Sequence, residues 1–383
     1  MSTPTRSTSR SAPDLSAGAT PPVSGDGGVE ATPGEPARAL NTLVRPQLPR
    51  WAPLLVALGA VALGTLVAVV LGRGPVAAAL VAAVTFHVVM PVWSNVVEGG
   101  RRAKDRVATH VMWTAFVLAM LPLVTLLWQV ISNGLPALSA EFFTYSMRNV
   151  VGEGGGIYHA IMGTLIVTAW ATLISVPIGV LAAIYLVEYG QGSRLARWIT
   201  FLVDVMTGIP SIVAGLFAYA LFVLIFGPGV RMGFGGAVAL AVLMVPVVVR
   251  STEEMLKLVP NELREASYAL GVPKWRTITK VVLPTAMAGI ITGVTLAIAR
   301  VAGETAPLLI IAGDTDSLNL NAFSERMATL PVFIYYSYMQ PGVPAHFGQE
   351  RAWGAALVLI AIVMGLNLLA RAVGKYFAPK TGR

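Results

Sequence analysis

The chain has 383 residues, of which 55% are hydrophobic and 12% are charged, and its formal net charge is +8. Soluble globular domains carry about 25% charged residues, so this composition excludes a soluble domain and indicates an integral membrane protein with several spans. The absence of cysteine excludes disulfides, zinc–thiolate sites and iron–sulfur clusters. The four histidines lie far apart in sequence without metal-ligand spacing, so we expect no metal and no other cofactor.

Residues 1–50 are rich in Ser, Thr, Pro, Gly and Ala and show no apolar periodicity. This composition predicts a disordered cytoplasmic tail. The first apolar run begins only after residue 50 and is long enough to span a bilayer, so we do not interpret it as a cleaved signal peptide.

Eight apolar segments follow the tail, each near or above the length of about 20 residues that crosses the hydrocarbon core. The segment at 234–250 is the shortest of them. The predicted spans are 52–72, 75–96, 107–131, 158–188, 200–227, 234–250, 284–312 and 352–374.

Lysine and arginine predict the orientation. If the N-terminus is cytoplasmic and all eight segments span, the cytoplasmic stretches hold 21 of the 27 cations, the external stretches hold five, and Arg300 lies inside a span. Helical membrane proteins collect Lys and Arg in cytoplasmic loops, so this orientation is favoured over its inverse and both termini are predicted to be cytoplasmic. The same rule explains the net positive charge, and we expect no nucleic-acid partner.

Two predicted external connections are long. Residues 132–157 end near the sequence GEGGG, which we interpret as a flexible segment before the next span. A role in ligand binding remains an alternative, although a phosphate-binding glycine loop normally follows a strand, and none is predicted here. The second connection, 313–351, contains an aromatic cluster suited to a membrane interface or an amphipathic helix.

The connection 251–284 predicts a compact helix–turn–helix on the cytoplasmic side. Pro260 stands where a helix can begin, and Leu258, Leu263, Ala266 and Leu270 lie near one face of that helix. Gly271 suits a C-terminal cap that needs positive φ, because it has no Cβ. Pro273 suits the first turn of a second, basic helix that leads to Pro284. This element protrudes where ATP is available and is suited to docking.

The sequence EASYALGVPKWRTITKVVLP resembles the EAA signature of ABC-importer permeases. Glu265, Ala266, Gly271, Leu283 and Pro284 match the pattern at its spacing, while Ser267 replaces the second alanine and Val281 replaces the isoleucine. A generic cytoplasmic helical hairpin is the alternative. The segments TGIPSIVAGLFAY, VVVRSTEEMLKLVPNELREAS, AIARVAGETAPLL and LPVFIYY are similar to the PstA-type permeases of phosphate ABC importers, from about residue 100 to 374.

The resemblance implies an all-α polytopic membrane protein with a six-helix permease core at 97–383. Residues 51–96 would then be two additional transmembrane helices whose task the sequence does not assign. The 251–284 loop would be the coupling helix that docks on an ATP-binding subunit, with Glu265 orienting it and Gly271 permitting its turn. No G-x-x-x-x-G-K-[ST] motif occurs in the chain, so the P-loop must come from a partner.

The segment ARVAGETAPLLI places two charges inside an apolar span. Arg300 falls near the bilayer centre, where facing lipid would cost at least about 2.5–3.5 kcal/mol, so it should face a cavity or a partner. Glu304 is four residues further on, hence on the same helix face. Pro307 predicts a kink, and Gly303 permits close approach of a neighbouring helix.

Two interpretations of Arg300 remain open. It could form an intrahelical or intersubunit ion pair, or its guanidinium could meet a transiting oxyanion through paired donors that match phosphate oxygens. Glu304 would then hold Arg300 when no anion is present, pair with an arginine of the partner permease, or accept a proton from phosphate. In the resembled family the matching arginine and glutamate are associated with phosphate translocation, which favours a substrate pathway along Arg300, Gly303, Glu304 and Pro307.

We therefore predict the non-catalytic permease subunit of a phosphate ABC importer in the cytoplasmic membrane. Its expected partners are a homologous second permease, two copies of an ATP-binding subunit, an external phosphate-binding protein, phosphate and membrane lipid. An ABC permease for molybdate or sulfate is the alternative, followed by an ATP-independent secondary transporter.

Overall fold

The computed structural model describes residues 47–377, and every regular element in that range is helical. Most of the predicted tail at 1–50 lies outside the described residues. The helices are α1 (Ala52–Val70), α2 (Pro75–Val97), α3 (Gly100–Gly134), α4 (Ala140–Thr144), α5 (Tyr158–Ile184), α6 (Arg194–Thr207), α7 (Ser211–Phe226), α8 (Gly233–Lys257), α9 (Asn261–Ala269), α10 (Lys274–Thr277), α11 (Leu283–Ala302), α12 (Ala306–Ile311), α13 (Leu330–Met339) and α14 (Ala345–Phe377).

Seven helical spans of the described chain are long and apolar enough to cross a membrane, or eight if the bent pair α6–α7 counts as one span. The predicted all-α membrane architecture is therefore confirmed. The chain separates into two compact units, Met1–Leu118 and Ala119–Arg383.

In the first unit, α1 and α2 form an antiparallel hairpin. Gly64 allows the close approach, since a Cβ there would lie 2.4 Å from the Ala78 carbonyl oxygen. The buried carboxylate of Glu98 follows α2 and accepts hydrogen bonds from Leu48 N (2.9 Å), Ser94 Oγ (2.7 Å) and Arg106 Nε (2.7 Å). These donors stabilise the ionised form and hold the pKa of Glu98 at about 2, below its ordinary 4.5, with the Arg106 hydrogen bond as the largest cause.

In the second unit, α8 occupies the centre and packs against α5, α7 and α11. It is the most buried of the spanning helices in the described chain. Small residues bring its neighbours close: a Cβ on Gly179 of α5 would lie 2.7 Å from Val248 Cγ1. Such contacts suit a membrane bundle, where helices associate through close packing rather than through exclusion of water.

Helices α8 and α11 run antiparallel, and two contacts fix their register. Gly289 lies against Met255, and Gly293 lies against Ser251. Four residues forward along α11 therefore correspond to four residues backward along α8. Extending this register places residue 300 at about the level of Met244, near the midpoint of α8.

The predicted span at 200–227 is broken in two. Helices α6 and α7 meet at 110° across residues 208–210, within the sequence GIPS at Gly208–Ser211. Asp204 of α6 pairs with Arg250 of α8. Helix α7 alone, at 16 residues, is shorter than the length that usually spans a bilayer.

The predicted span at 284–312 is wrong at both ends. The helix begins at Lys274 and continues through a π-helical turn, Ile278–Val282, into α11. It then ends at Ala302, and α12 is a separate short helix. Pro307 contributes to this break because it has no N–H to donate to Gly303 and disfavours helical geometry at the residue before it.

Candidate functional site

The loop predicted at 251–284 forms the expected helix–turn–helix. Pro260 precedes α9, and Gly271 adopts φ +73°, the left-handed conformation expected of a helix C-cap. Pro273 precedes α10. The second helix is not a separate element, since it continues into the span that contains Arg300. A displacement of α10 would therefore act directly on that span.

An ion pair ties α9 to the end of α5. Arg264 donates to Glu188 Oε1 from Nη2 (2.8 Å) and to the Val259 carbonyl from Nη1 (2.7 Å). The Glu188 side chain is only 4% exposed, so removal of Arg264 would leave a buried carboxylate without its ion-pair partner and would destabilise the fold. The two residues are 76 positions apart, so no local sequence pattern predicts the pair. The only local signal was a carboxylate at the end of an apolar segment.

A second contact closes the helix–turn–helix from inside. The hydroxyls of Ser267 and Thr277 lie 2.8 Å apart and are both buried. Ser267 is the residue that replaces the second alanine of the EAA pattern. Here the replacement supplies a hydrogen-bond partner to Thr277, whose unpaired hydroxyl would otherwise cost about 1–3 kcal/mol.

The outer surface of this helix–turn–helix is apolar and uncovered by the described chain. Leu258 is 73% exposed, Leu270 83% and Trp275 56%. Glu265 and Ala266 are also exposed, on α9. We call the surface formed by Leu258, Glu265, Ala266, Leu270 and Trp275 the α9–α10 face. Large apolar side chains that are exposed on one short element are typical of an interaction surface.

The two remaining motif residues lie at the base of the element. Leu283 packs with the buried cluster around Val282 and Ala286. Pro284 follows the π-helical turn Ile278–Val282 inside the continuous helix Lys274–Ala302, where it has no N–H to donate. Leu283 and Pro284 therefore lie inside this helix, whereas Glu265 and Ala266 are accessible to a partner.

Arg300 lies in the last turn of α11, at mid-height of α8, and its side chain is exposed. Within residues 47–377, no carboxylate oxygen lies within 4.0 Å of its guanidinium. The predicted pairing with Glu304 on one helix face is wrong for this chain alone. Because the helix ends at Ala302, a spacing of four residues no longer places the two side chains one above the other.

The close helix approach predicted at Gly303 is wrong, whereas the kink predicted at Pro307 agrees with the break between α11 and α12. Gly303 is exposed, with only the Arg300 carbonyl, at 3.9 Å, near the position of a Cβ, so it mediates no close helix approach here. The close approach occurs at Gly215 of α7, where a Cβ would lie 2.6 Å from Pro307 Cα. Pro307 is buried under α7, and of this group Arg300, Gly303 and Glu304 are the residues with accessible surface.

Comparisons with known proteins identify the class. Residues 175–383 match the family described as "Binding-protein-dependent transport system inner membrane component". The match covers more than half of the chain, which therefore belongs to this family of transport proteins.

Curated relatives are more specific. The "Phosphate transport system permease protein PstA 1" of Mycobacterium tuberculosis (strain ATCC 25618 / H37Rv) is 51% identical over 273 residues, 70% of this chain and 87% of that protein. The "Phosphate transport system permease protein PstA" of Yersinia pestis is 40% identical over 280 residues, 72% and 92% of the two chains.

A solved structure agrees in fold. The "bacterial alginate ABC transporter in complex with alginate pentasaccharide-bound periplasmic protein" contains a chain that is 14% identical with a TM-score of 0.51. The likeness covers 73% of this chain and 97% of that one. At this identity the comparison supports the helical permease fold alone.

Proposed function

We propose that this chain is the transmembrane permease subunit of an ATP-driven importer of inorganic phosphate. The observation that carries the proposal is the 51% identity, over 70% of the chain, to a relative named as a phosphate transport permease. The chain performs no covalent chemistry, and ATP hydrolysis belongs to a separate subunit because the sequence contains no P-loop motif.

The α9–α10 face is the proposed docking surface for the ATP-binding subunit, of which the complex would hold two copies. Its exposed leucines and Trp275 offer an apolar centre, and Glu265 offers a charge at its edge. Movement of the docked subunit would reach Arg300 through one continuous helix, Lys274–Ala302. A homologous second permease and an external phosphate-binding protein complete the proposed assembly.

Arg300 is the proposed contact for the transported anion. A mid-membrane guanidinium on an exposed helix face must be covered by protein or by a water-filled path, since lipid contact would cost at least about 2.5–3.5 kcal/mol. The second permease would supply that cover, and the pathway would run between the two chains. The break at residues 303–305 fits such a position, because irregular backbone at membrane depth is tolerated where it lines a cavity.

The orientation in the membrane follows from the location of ATP and from the distribution of Lys and Arg. We place the N- and C-termini and the α9–α10 face in the cytoplasm, where ATP is available. The cation distribution supports this, with 21 Lys and Arg on the proposed cytoplasmic side and five outside.

The test is uptake of labelled phosphate by the complete complex in proteoliposomes. We expect Arg300→Gln to abolish uptake and Arg300→Lys to restore little of it, because Lys lacks the planar paired donors. Arg148→Gln, an exposed arginine elsewhere in the chain, is the matched control and should transport normally. Co-purification of all subunits must be unchanged.

Three results would contradict parts of this proposal. Normal uptake in Arg300→Gln would remove Arg300 from the pathway. Loss of assembly in the same variant would assign it an intersubunit ion pair instead. Strong competition by sulfate or molybdate would favour the alternative of a permease for another oxyanion.

A further inference from the structure

A cavity of about 400 Å³ lies at the end of α12, in the second unit, away from the α9–α10 face. Four separate chain segments supply its charged lining. Arg231 precedes α8, Asp314 and Asp316 follow α12, Arg326 precedes α13, and Arg351 belongs to α14. We call it the three-arginine cavity. Its volume falls within the range of about 300–1,000 Å³ that is typical of small-molecule sites.

The cavity brings together three of the five cations that the sequence count assigns to the external side. Arg231 and Arg326 converge over the backbone of Gly313, which has φ +75°. A Cβ there would lie 3.2 Å from Arg231 Cδ and 3.2 Å from Arg326 Cγ, so the stems of the two arginines approach the Gly313 backbone closely. Within residues 47–377, neither guanidinium has a carboxylate oxygen within 4.0 Å.

Backbone carbonyls orient the third arginine. Arg351 Nη1 donates to the carbonyls of Gly152 (2.7 Å) and Gly154 (3.1 Å), which belong to the GEGGG segment. This segment was predicted as a flexible stretch before α5, with ligand binding as the alternative. Its carbonyls hold Arg351 at the cavity, while the remaining nitrogens of that guanidinium stay free of protein partners in the described chain.

Asp314 is one of two aspartates in the cavity lining. Its Oδ1 is buried and has no hydrogen-bond partner within the described residues. Burial, and secondly the charge of Asp316, raise the pKa of Asp314. A buried carboxylate oxygen without a partner is costly, so a ligand that carries a hydrogen toward Asp314 would relieve an existing penalty.

We propose that the three-arginine cavity is an oxyanion site of the permease itself, which binds a hydrogen-bearing oxyanion such as phosphate. The unprotonated oxygens accept from Arg231 and Arg326, and the P–OH group donates to Asp314. Sulfate carries no such hydrogen near neutral pH and leaves Asp314 unpaired. In an importer the anion enters from the external side, so the cavity would receive it before it reaches Arg300. This order rests on the proposed function.

A different occupant, an acidic side chain of the external binding protein, would use the same arginines. The concave shape and the presence of Asp314 in the lining favour the small ligand, because the acidic side chain of a docking protein carries no hydrogen at neutral pH that it could donate to Asp314. The two occupants differ in experiment, since only the small ligand binds without the binding protein.

The experiment measures equilibrium binding of ³²P-labelled inorganic phosphate to the purified complex without its binding protein. All samples carry Arg300→Gln, so that the membrane site does not contribute. We expect Arg231→Gln/Arg326→Gln to remove one saturable site per complex and Arg148→Gln to leave binding unchanged. Asp314→Asn should reduce the preference for phosphate over sulfate.

Each other outcome is decisive. Unchanged phosphate binding in the double variant overturns the proposal. If phosphate binding is unchanged but a higher concentration of binding protein is needed to stimulate ATP hydrolysis, the cavity is a docking site for that protein instead. Normal ATP hydrolysis by the double-variant complex shows that the variant is folded. Failure of the wild-type complex to import phosphate while the cavity still binds it would refute the proposed function and leave this site standing.

Discussion

At the scale of single residues, two buried carboxylates contrast with Arg300. Glu188 and Glu98 are buried and paired with arginines of the same chain. Arg300 is exposed at the mid-height of α8 and has no carboxylate partner within residues 47–377. Its charge is therefore available to substrate or to a second subunit.

Glu98 predicts a specific dependence of stability on pH. Its pKa is about 2 in the folded chain and 4.5 ordinarily, so the folded state binds fewer protons between these values. The stabilisation by Glu98 is fully present above about pH 4.5 and is lost as the pH falls toward 2. We expect Glu98→Gln to lower the thermal unfolding temperature at pH 7 and to lower it progressively less below pH 4.5.

The control for this series is Glu262→Gln, since Glu262 is an exposed carboxylate on α9. Its unfolding temperature should follow the wild type across the whole pH range. An equal effect of Glu98→Gln at pH 7 and at pH 3 would contradict the assigned role of the ionised carboxylate.

At the scale of elements, the sequence predicted those turns that glycine and proline determine locally. Gly271 and Pro273 predicted the turn between α9 and α10. The end of α11 was not predicted, because apolar residues continue through α12 and the hydropathy pattern does not register a broken helix. Arg264 and Ser267 were missed because their partners are brought near only by folding.

The turn at Gly271 yields a matched pair of substitutions. Gly271 has φ +73° and open space where a Cβ would lie, so Gly271→Ala tests backbone conformation alone. A left-handed alanine costs about 1–2 kcal/mol, and the strain should displace α10 relative to α9. We expect reduced coupling, measured as weaker stimulation of ATP hydrolysis by the loaded binding protein in the reconstituted complex.

Gly208→Ala serves as the comparison, because Gly208 is a C-cap with φ −89° and the nearest atom to its Cβ position is 3.6 Å away. In this variant the loaded binding protein should stimulate ATP hydrolysis as it does in the wild type. Similar losses in both variants would mean that the effect does not arise from the positive φ of the α9–α10 turn.

At the scale of the whole molecule, the part of the chain that matches the family model lies in the second unit. The family match begins at residue 175, and four of the buried hydrophobic clusters of the described chain lie beyond Leu118. The cluster around Ala52, Val56 and Met90 belongs entirely to the first unit. Each unit thus has its own core, which is the usual condition for removing one without unfolding the other.

Removal of residues 1–97 is therefore expected to leave transport intact. The deletion takes away the α1–α2 hairpin and retains α3, the α9–α10 face and Arg300. We expect the shortened chain to assemble and to import labelled phosphate at the wild-type rate, whereas Arg300→Gln in the same background abolishes uptake. A point substitution tests whether a distorted hairpin affects transport differently from a missing one. Gly64→Val places a side chain against the Ala78 carbonyl and should also leave uptake unchanged. If the deletion assembles but does not transport, residues 1–97 take part in the transport cycle.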